Sequence, residues 1–198
     1  HTVNYQDKID VYQLEINPVN KNQYKFDGQW INLEENKAKL KVKGIPITIG
    51  KKIYWSKYGP TVKTAKGVFS LRVPATMDIT ALEEWYRMNK AKNFTEFYKA
   101  LSMTSLPMFN IMYADRYDTI FYISNGKMPR RNPDSKYNWK STLPGNTSAT
   151  LWTAFKPVGE LPQYVNPASG YLFNTNHSPF FATDVKYNLD IKKFDRTD

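Results

Sequence analysis

The sequence predicts an α+β fold, rich in strand, with two consecutive helices near the middle of the chain. Three observations carry this expectation. The first half alternates apolar and polar residues at period two between turn signals. Two short segments from Thr80 onward each pair a capping residue with an apolar stripe at helical spacing. Beyond Pro129 the periodicity fades, and seven of the twelve prolines fall between Pro129 and Pro179. Such a stretch is long for an unstructured loop, so it reads as a segment that wraps a surface and carries function.

The elements follow in order. Asp10 to Ile16 (DVYQLEI) reads as a strand, followed by a turn at Asn17-Pro18-Val19-Asn20. Gln23 to Glu34 reads as a hairpin tipped by Asp27-Gly28, a pair that tolerates the positive φ of a type I′ turn. The segments AKLKVK, IPITIG and KKIYWSKYG continue the strand pattern, with Pro46 and Pro60 at edges or strand ends. Lys37, Lys39, Lys41 and Lys43 alternate with Ala38, Leu40 and Val42, the signature of a strand with one solvated face. Thr80 and Glu83 have capping-box spacing, with Leu82, Trp85 and Tyr86 on one face. Asn93 and Glu96 repeat the device, with Phe94, Phe97, Tyr98 and Leu101 as the buried stripe. Both aromatic stripes are read as packing surfaces rather than ligand sites. Ile111 to Ala114 and Thr119 to Ile123 then form a hairpin across a turn at Asp115 to Asp118.

Composition narrows the chemistry. With 198 residues, 41% of them hydrophobic, 14 Tyr, 11 Phe and 5 Trp, the chain is globular and is read as a single partial domain, residues 1–198. It starts at His1 without a signal peptide, so it is expected to be a piece of a longer polypeptide. No apolar run approaches the roughly 20 residues of a membrane span. The absence of cysteine removes disulfides, thiolate zinc sites and cysteine nucleophiles, and two histidines are too few for a His-rich zinc site. The net charge of +10 is scattered, and its densest cluster holds lysine but no arginine, which favours a solvated face over a nucleic-acid surface. Neither a nucleophile elbow nor a phosphate loop is present. Glycosidase-type carboxylate pairs stay open, because acids are dispersed along the chain.

Two stretches invite more specific readings. Asp7 and Asp10, three apart before a strand, form a weak calcium signal, since calcium collects carboxylate and carbonyl oxygens. In SGYLFNTNHSPF, Tyr171, Leu172 and Phe173 read as a strand that delivers Asn174, Thr175, Asn176, His177 and Ser178 inward. On residues alone, Asn174 and Asn176 tie a sharp, proline-terminated loop to neighbouring backbone.

Five landmarks then stand in order: HTVNYQDKIDVYQLEINP, YGPTV, RMNKAKNFTEFYKAL, FNIMYADRYDTIFYISNGKMPRR and NPASGYLFNTNHSP. Together they resemble the penicillin acylase family of N-terminal nucleophile hydrolases, over most of the chain from His1 to about Pro179. The resemblance implies an αββα sandwich and an amidase that splits an acyl group from an amine. The nucleophile would be an N-terminal serine with its own α-amino group as base. That serine is expected upstream of His1, so this chain alone is expected to be inactive and to need a small chain and the remainder of the large chain as partners. The resemblance assigns the oxyanion hole to the Val3 backbone N–H and the Asn176 side chain, and places His1 beside the nucleophile. Asn174 and His177 are left structural. It also implies a structural Ca2+ held by Asp7, the Ile9 carbonyl, Asp10, the Pro129 carbonyl and Asp184, and a periplasmic or secreted location. Arg196 is the one arginine after Pro179, where the family pattern has an arginine. Penicillins, cephalosporins, acyl-homoserine lactones and other amides stay open as substrates. An alternative reading is a secreted β-rich module that binds glycans through Trp30, Trp55, Trp139 and Trp152; a nucleic-acid or anion-binding domain rests on net charge alone.

Overall fold

The structure is a computed structural model that describes residues 1–4, 6–44, 46–131 and 136–194. The fold is α+β, and the chain gathers into two compact units. The first comprises His1–Lys8, Pro74–Arg130 and Ala154–Asp198; the second comprises Ile9–Val73 and Arg131–Thr153.

The second unit is built on a six-stranded sheet. Its strands are β1 (Asp10–Leu14), β4 (Glu34–Lys41), β5 (Thr48–Ser56), β6 (Gly59–Thr64), β7 (Gly67–Arg72) and β10 (Leu143–Pro144), in the order β10-β1-β7-β6-β5-β4. All pairs are antiparallel except β1 with β10, where Tyr12 faces Leu143 in parallel register. Strands β2 (Gln23–Phe26) and β3 (Gln29–Asn32) form the expected hairpin, and positive φ at Asp27 (46°) and Gly28 (82°) supplies its turn. Gly59 is required where it stands: at φ 137° a Cβ would lie 2.3 Å from the Leu71 carbonyl oxygen. Tyr12, Tyr24, Phe26, Leu33, Tyr58 and Leu143 form the core, with Tyr12 stacked on Tyr58 at 4.2 Å between ring centroids. Lys37, Lys39 and Lys41 lie exposed on β4, as the alternation predicts. Leu40, on the opposite face, and Val42, just beyond β4, are exposed as well.

The first unit sets two helices, α1 (Ala81–Lys90) and α2 (Phe94–Leu101), against a three-stranded sheet ordered β11-β9-β8. Here β8 is Phe109–Ala114, β9 is Ile120–Asn125 and β11 is Gln163–Val165. The predicted hairpin is present, with Ile111 opposite Ile123 and Tyr113 opposite Phe121. These residues share one face with Phe97, Leu101 and Leu106 in the core. Strand parity sends Asn110, Tyr122 and Ser124 to the other face, where Tyr122 packs with Tyr164 and Ala182.

Helix α2 matches its prediction in stripe and cap: the Asn93 side chain accepts the Glu96 N–H at 2.9 Å, and Glu96 accepts the Lys92 N–H. Helix α1 does not. Leu82 is 83% exposed and Tyr86 62% exposed, whereas Glu84 is fully buried, with Ala81, Trp85 and Met88 against the core. The Glu84 carboxylate accepts the backbone N–H groups of Ser105 and Leu106, and those bonds turn its face inward. Nor does the Thr80 side chain cap α1; its hydroxyl bonds Asp78 and Ser105 instead. Among the described residues no helix is long and apolar enough to cross a membrane.

Asn93→Ala should therefore cost about 1 kcal/mol of stability, the usual worth of a side-chain cap, read from urea unfolding at constant m.

Candidate functional site

The N-terminal segment lies beside β8. Thr2 and Asn110 form an isolated antiparallel bridge, Thr2 N–H to Asn110 carbonyl at 2.9 Å and the reverse bond at 2.8 Å. Extended backbone alternates its side chains, and here the buried parity is polar: Asn4, Gln6 and Lys8. Burying such donors is tolerable only with partners, and each donor finds one at the end of β9. Asn4 Nδ2 donates to the Asn125 carbonyl at 3.0 Å and Gln6 Nε2 to the Ser124 carbonyl at 3.1 Å. Lys8 Nζ donates to the carbonyls of Pro107 and Asn125 at 3.0 and 3.2 Å. The opposite parity leaves Val3 exposed, and its N–H has no protein partner among the described residues.

The Asn-rich stretch is not the inward-leading strand the sequence suggested. Tyr171 and Phe173 are exposed and the segment is irregular, since no neighbouring strand takes its ladder. Order comes from side chains. Asn174 Oδ1 accepts the Asn176 N–H at 2.9 Å, an Asx turn that holds Asn176 at φ 62°. His177 is locked on both nitrogens. The Thr175 N–H can only donate, so Nδ1 at 3.0 Å accepts; the Phe181 carbonyl can only accept, so Nε2 at 2.8 Å carries the proton. Its ring also stacks on Phe173, in keeping with a structural role.

Asn110 links these two segments. Its Nδ2 lies 3.4 Å from the Val3 carbonyl and 3.3 Å from Asn174 Oδ1, while Oδ1 accepts from the Tyr122 hydroxyl at 2.9 Å. Asn174 Nδ2 reaches the Thr2 hydroxyl at 2.6 Å. Val3 and Asn176 thus belong to one hydrogen-bond network, and the Asn176 side-chain amide has no protein partner among the described residues. His1 sits edge-on to Trp85 and Phe109, at centroid distances of 4.5 and 5.1 Å. Sequence reasoning missed Asn110 and Tyr122 in this role; the signal was an amide at a strand position otherwise flanked by apolar residues. Arg196 lies outside the described residues.

Of the residues expected to hold calcium, Asp10 is already committed to other side chains. Asp10 is fully buried and already clamped by Arg131, whose Nε and Nη2 lie at 3.1 and 3.0 Å, and by the Trp152 indole N–H at 2.6 Å. Arg72, opposite Asp10 on β7, stacks over Trp152 and adds a second positive charge. A dication there would have to displace one guanidinium and sit beside another. Asp184 accepts the Lys186 N–H as the cap of a short 3-10 turn. Among the described residues, no group of three or more His, Asp or Glu is gathered to hold a metal.

Two of the tryptophans put forward for glycan binding serve the interior. Trp152 is buried against Asp10 and Trp139 packs on the second core, leaving Trp30 and Trp55 exposed. In the first unit, burial pushes the Glu84 carboxyl up to about 6, against the opposing pull of the Leu106 and Ser105 N–H groups.

Comparison with known proteins adds an independent line. A family model described as Penicillin amidase matches residues 1–198. Penicillin G acylase of Escherichia coli is 24% identical over 181 residues, covering 90% of this chain and 21% of that protein. The acyl-homoserine lactone acylase PvdQ of Pseudomonas fluorescens is 25% identical over 171 residues, 77% of this chain and 22% of that protein. A solved structure, the thermostable penicillin G acylase from Alcaligenes faecalis, superposes with a TM-score of 0.78 at 28% identity. That match covers 96% of this chain and 34% of the other. The chain therefore spans about a fifth of the curated relatives' length.

Two outcomes are expected from these buried charges. Arg131→Met strands the Asp10 carboxylate and should cost about 3–5 kcal/mol in denaturant unfolding. Glu84 binds its proton more tightly when folded than when unfolded, so stability should fall as pH rises from its ordinary 4.5 to about 6, then level off. That slope, about 2 kcal/mol in all, should vanish in Glu84→Gln when unfolding is followed across the same window.

Proposed function

The chain belongs to the penicillin amidase family, and we propose that it is an interior part of the catalytic chain of an amide hydrolase that frees an amine from an acyl group. The nucleophile is assigned to an N-terminal serine outside these 198 residues, with its α-amino group as base. Attack on the amide carbon forms the new C–O bond and drives the carbonyl electrons onto oxygen. The Val3 N–H and the Asn176 amide are the donors assigned to that oxyanion, and His1 is assigned a place beside the serine. Collapse of the tetrahedral intermediate expels the amine, which takes the proton held by the α-amino group. Water then releases the acid by the same steps.

One observation carries the reading. Val3 and Asn176, far apart in sequence, are joined through Asn110 and Asn174, and each keeps an N–H donor that no described protein group uses. Donors left unspent on a backbone held by its neighbours are what oxyanion stabilisation requires, because the charge appears only during reaction. The parent is further proposed to work outside the cytoplasm and to pair with a small chain; both rest on resemblance. Acyl and amine selectivity stay open among penicillins, cephalosporins, acyl-homoserine lactones and other amides.

In the complete enzyme, Asn176→Ala should lower kcat by about 10²–10³-fold with little change in KM or melting temperature. Loss of folding without a separate loss of kcat would reduce Asn176 to a loop-tying residue. The isolated chain should turn over no amide, and turnover by it alone would refute the assignment of the nucleophile.

A further inference from the structure

We propose that Asn110 is a positioning residue for both assigned oxyanion donors, and that the Tyr122 hydroxyl sets the direction in which its amide points. The proposal rests on the reading of Val3 and Asn176 given above.

The polarity of the network is forced from its two ends. At one end stands the Val3 carbonyl, which can only accept, so the Asn110 atom facing it must be Nδ2. That leaves Oδ1 toward Tyr122, whose hydroxyl must then donate. At the other end stands the Asn176 N–H, which can only donate, so the Asn174 atom facing it must be Oδ1. Asn110 Nδ2 and Asn174 Oδ1 then meet as donor and acceptor at 3.3 Å, although each orientation was fixed by a different backbone group. Every side-chain bond agrees in direction, from Tyr122 through Asn110 and Asn174 to Thr2. Asn110 is fully buried, its main chain bridges Thr2 on both sides, and it cannot rotate without breaking this chain. Burial pushes the Tyr122 phenol well up from its ordinary value, so the donor keeps its proton at working pH.

A side chain that reaches the Val3 peptide with one bond and the Asn176 turn with the next sets the distance between them. Small displacements at such a distance are expensive in rate, up to about 10²-fold for 1 Å. Asn110→Asp is the sharpest probe, because it keeps the shape but turns a carboxylate oxygen on two acceptors. Tyr122→Phe is the gentle one, since it keeps the ring and removes only the hydroxyl.

The experiment is a pair of double-mutant cycles in the complete processed enzyme, each variant combined with Asn176→Ala. Rates are read with N-phenylacetyl- and N-octanoyl-4-nitroanilide. Phenylmethylsulfonyl fluoride labelling of the nucleophile, read by mass, gives a measure that needs no acyl preference. Melting temperature is followed throughout. Asn110→Asp should lower kcat and the labelling rate at least about 10-fold, and Tyr122→Phe about 3-fold, with KM changed less than twofold. In the Asn176→Ala background both effects should shrink to the part exerted through Val3, which a purely structural role would not produce. If Asn176→Ala slows the reaction but both variants match wild type, or their losses multiply with it, the positioning role is overturned. If Asn110→Asp fails to fold, the Tyr122→Phe cycle decides alone. If Asn176→Ala leaves rate and labelling unchanged, or the wild-type enzyme is neither labelled nor active, the oxyanion assignment itself fails.

Discussion

A buried amide has one end that must give a hydrogen and one that must receive it, and the first unit is organised by that demand. Asn4, Gln6 and Asn110 each lie in the interior, where an unmet donor or acceptor costs roughly 1–3 kcal/mol. Their bonds fasten the N-terminal segment to β8 and β9, where Thr2 is the one residue among those described that makes a paired bridge. Side chains therefore do what backbone does elsewhere in the sheet. The same requirement passes through Asn110 to Asn174, and so side chains tie an irregular loop to β8.

The second unit meets a different constraint in the same way. A fully buried carboxylate at Asp10 is offset by Arg131 and by the Trp152 indole, and Arg72 is spent on the carbonyls of Trp152, Lys57 and Tyr58.

Much of the architecture was legible because it is written locally. The Asp27-Gly28 turn, the Asn93 cap and the alternation of Ile111, Tyr113, Phe121 and Ile123 each depend on neighbours within a few residues. What failed needed distant partners. Nothing near Glu84 announces that its carboxylate will meet Ser105 and Leu106, so hydrophobicity pointed to Leu82 and Tyr86, which face out. Leu40 and Val42 alternate with lysines in the sequence, yet both are exposed. For the candidate site, Val3 and Asn176 came from the ordered landmarks. Asn110 was within reach only as an anomaly, an amide among strand-formers, and its bonds to Val3 and Asn174 required the fold.

The units are interleaved along the chain, and that has a kinetic consequence. The six-stranded sheet stays open at β1 until Leu143 arrives to pair with Tyr12, and the first unit waits for residues beyond Ala154. Closing such long loops is entropically slow, so pairing of β1 with β10 should come late among folding events. During synthesis β1 would emerge with one edge bare, and a vectorially growing polypeptide must keep that edge from foreign strands until its own partner leaves the ribosome.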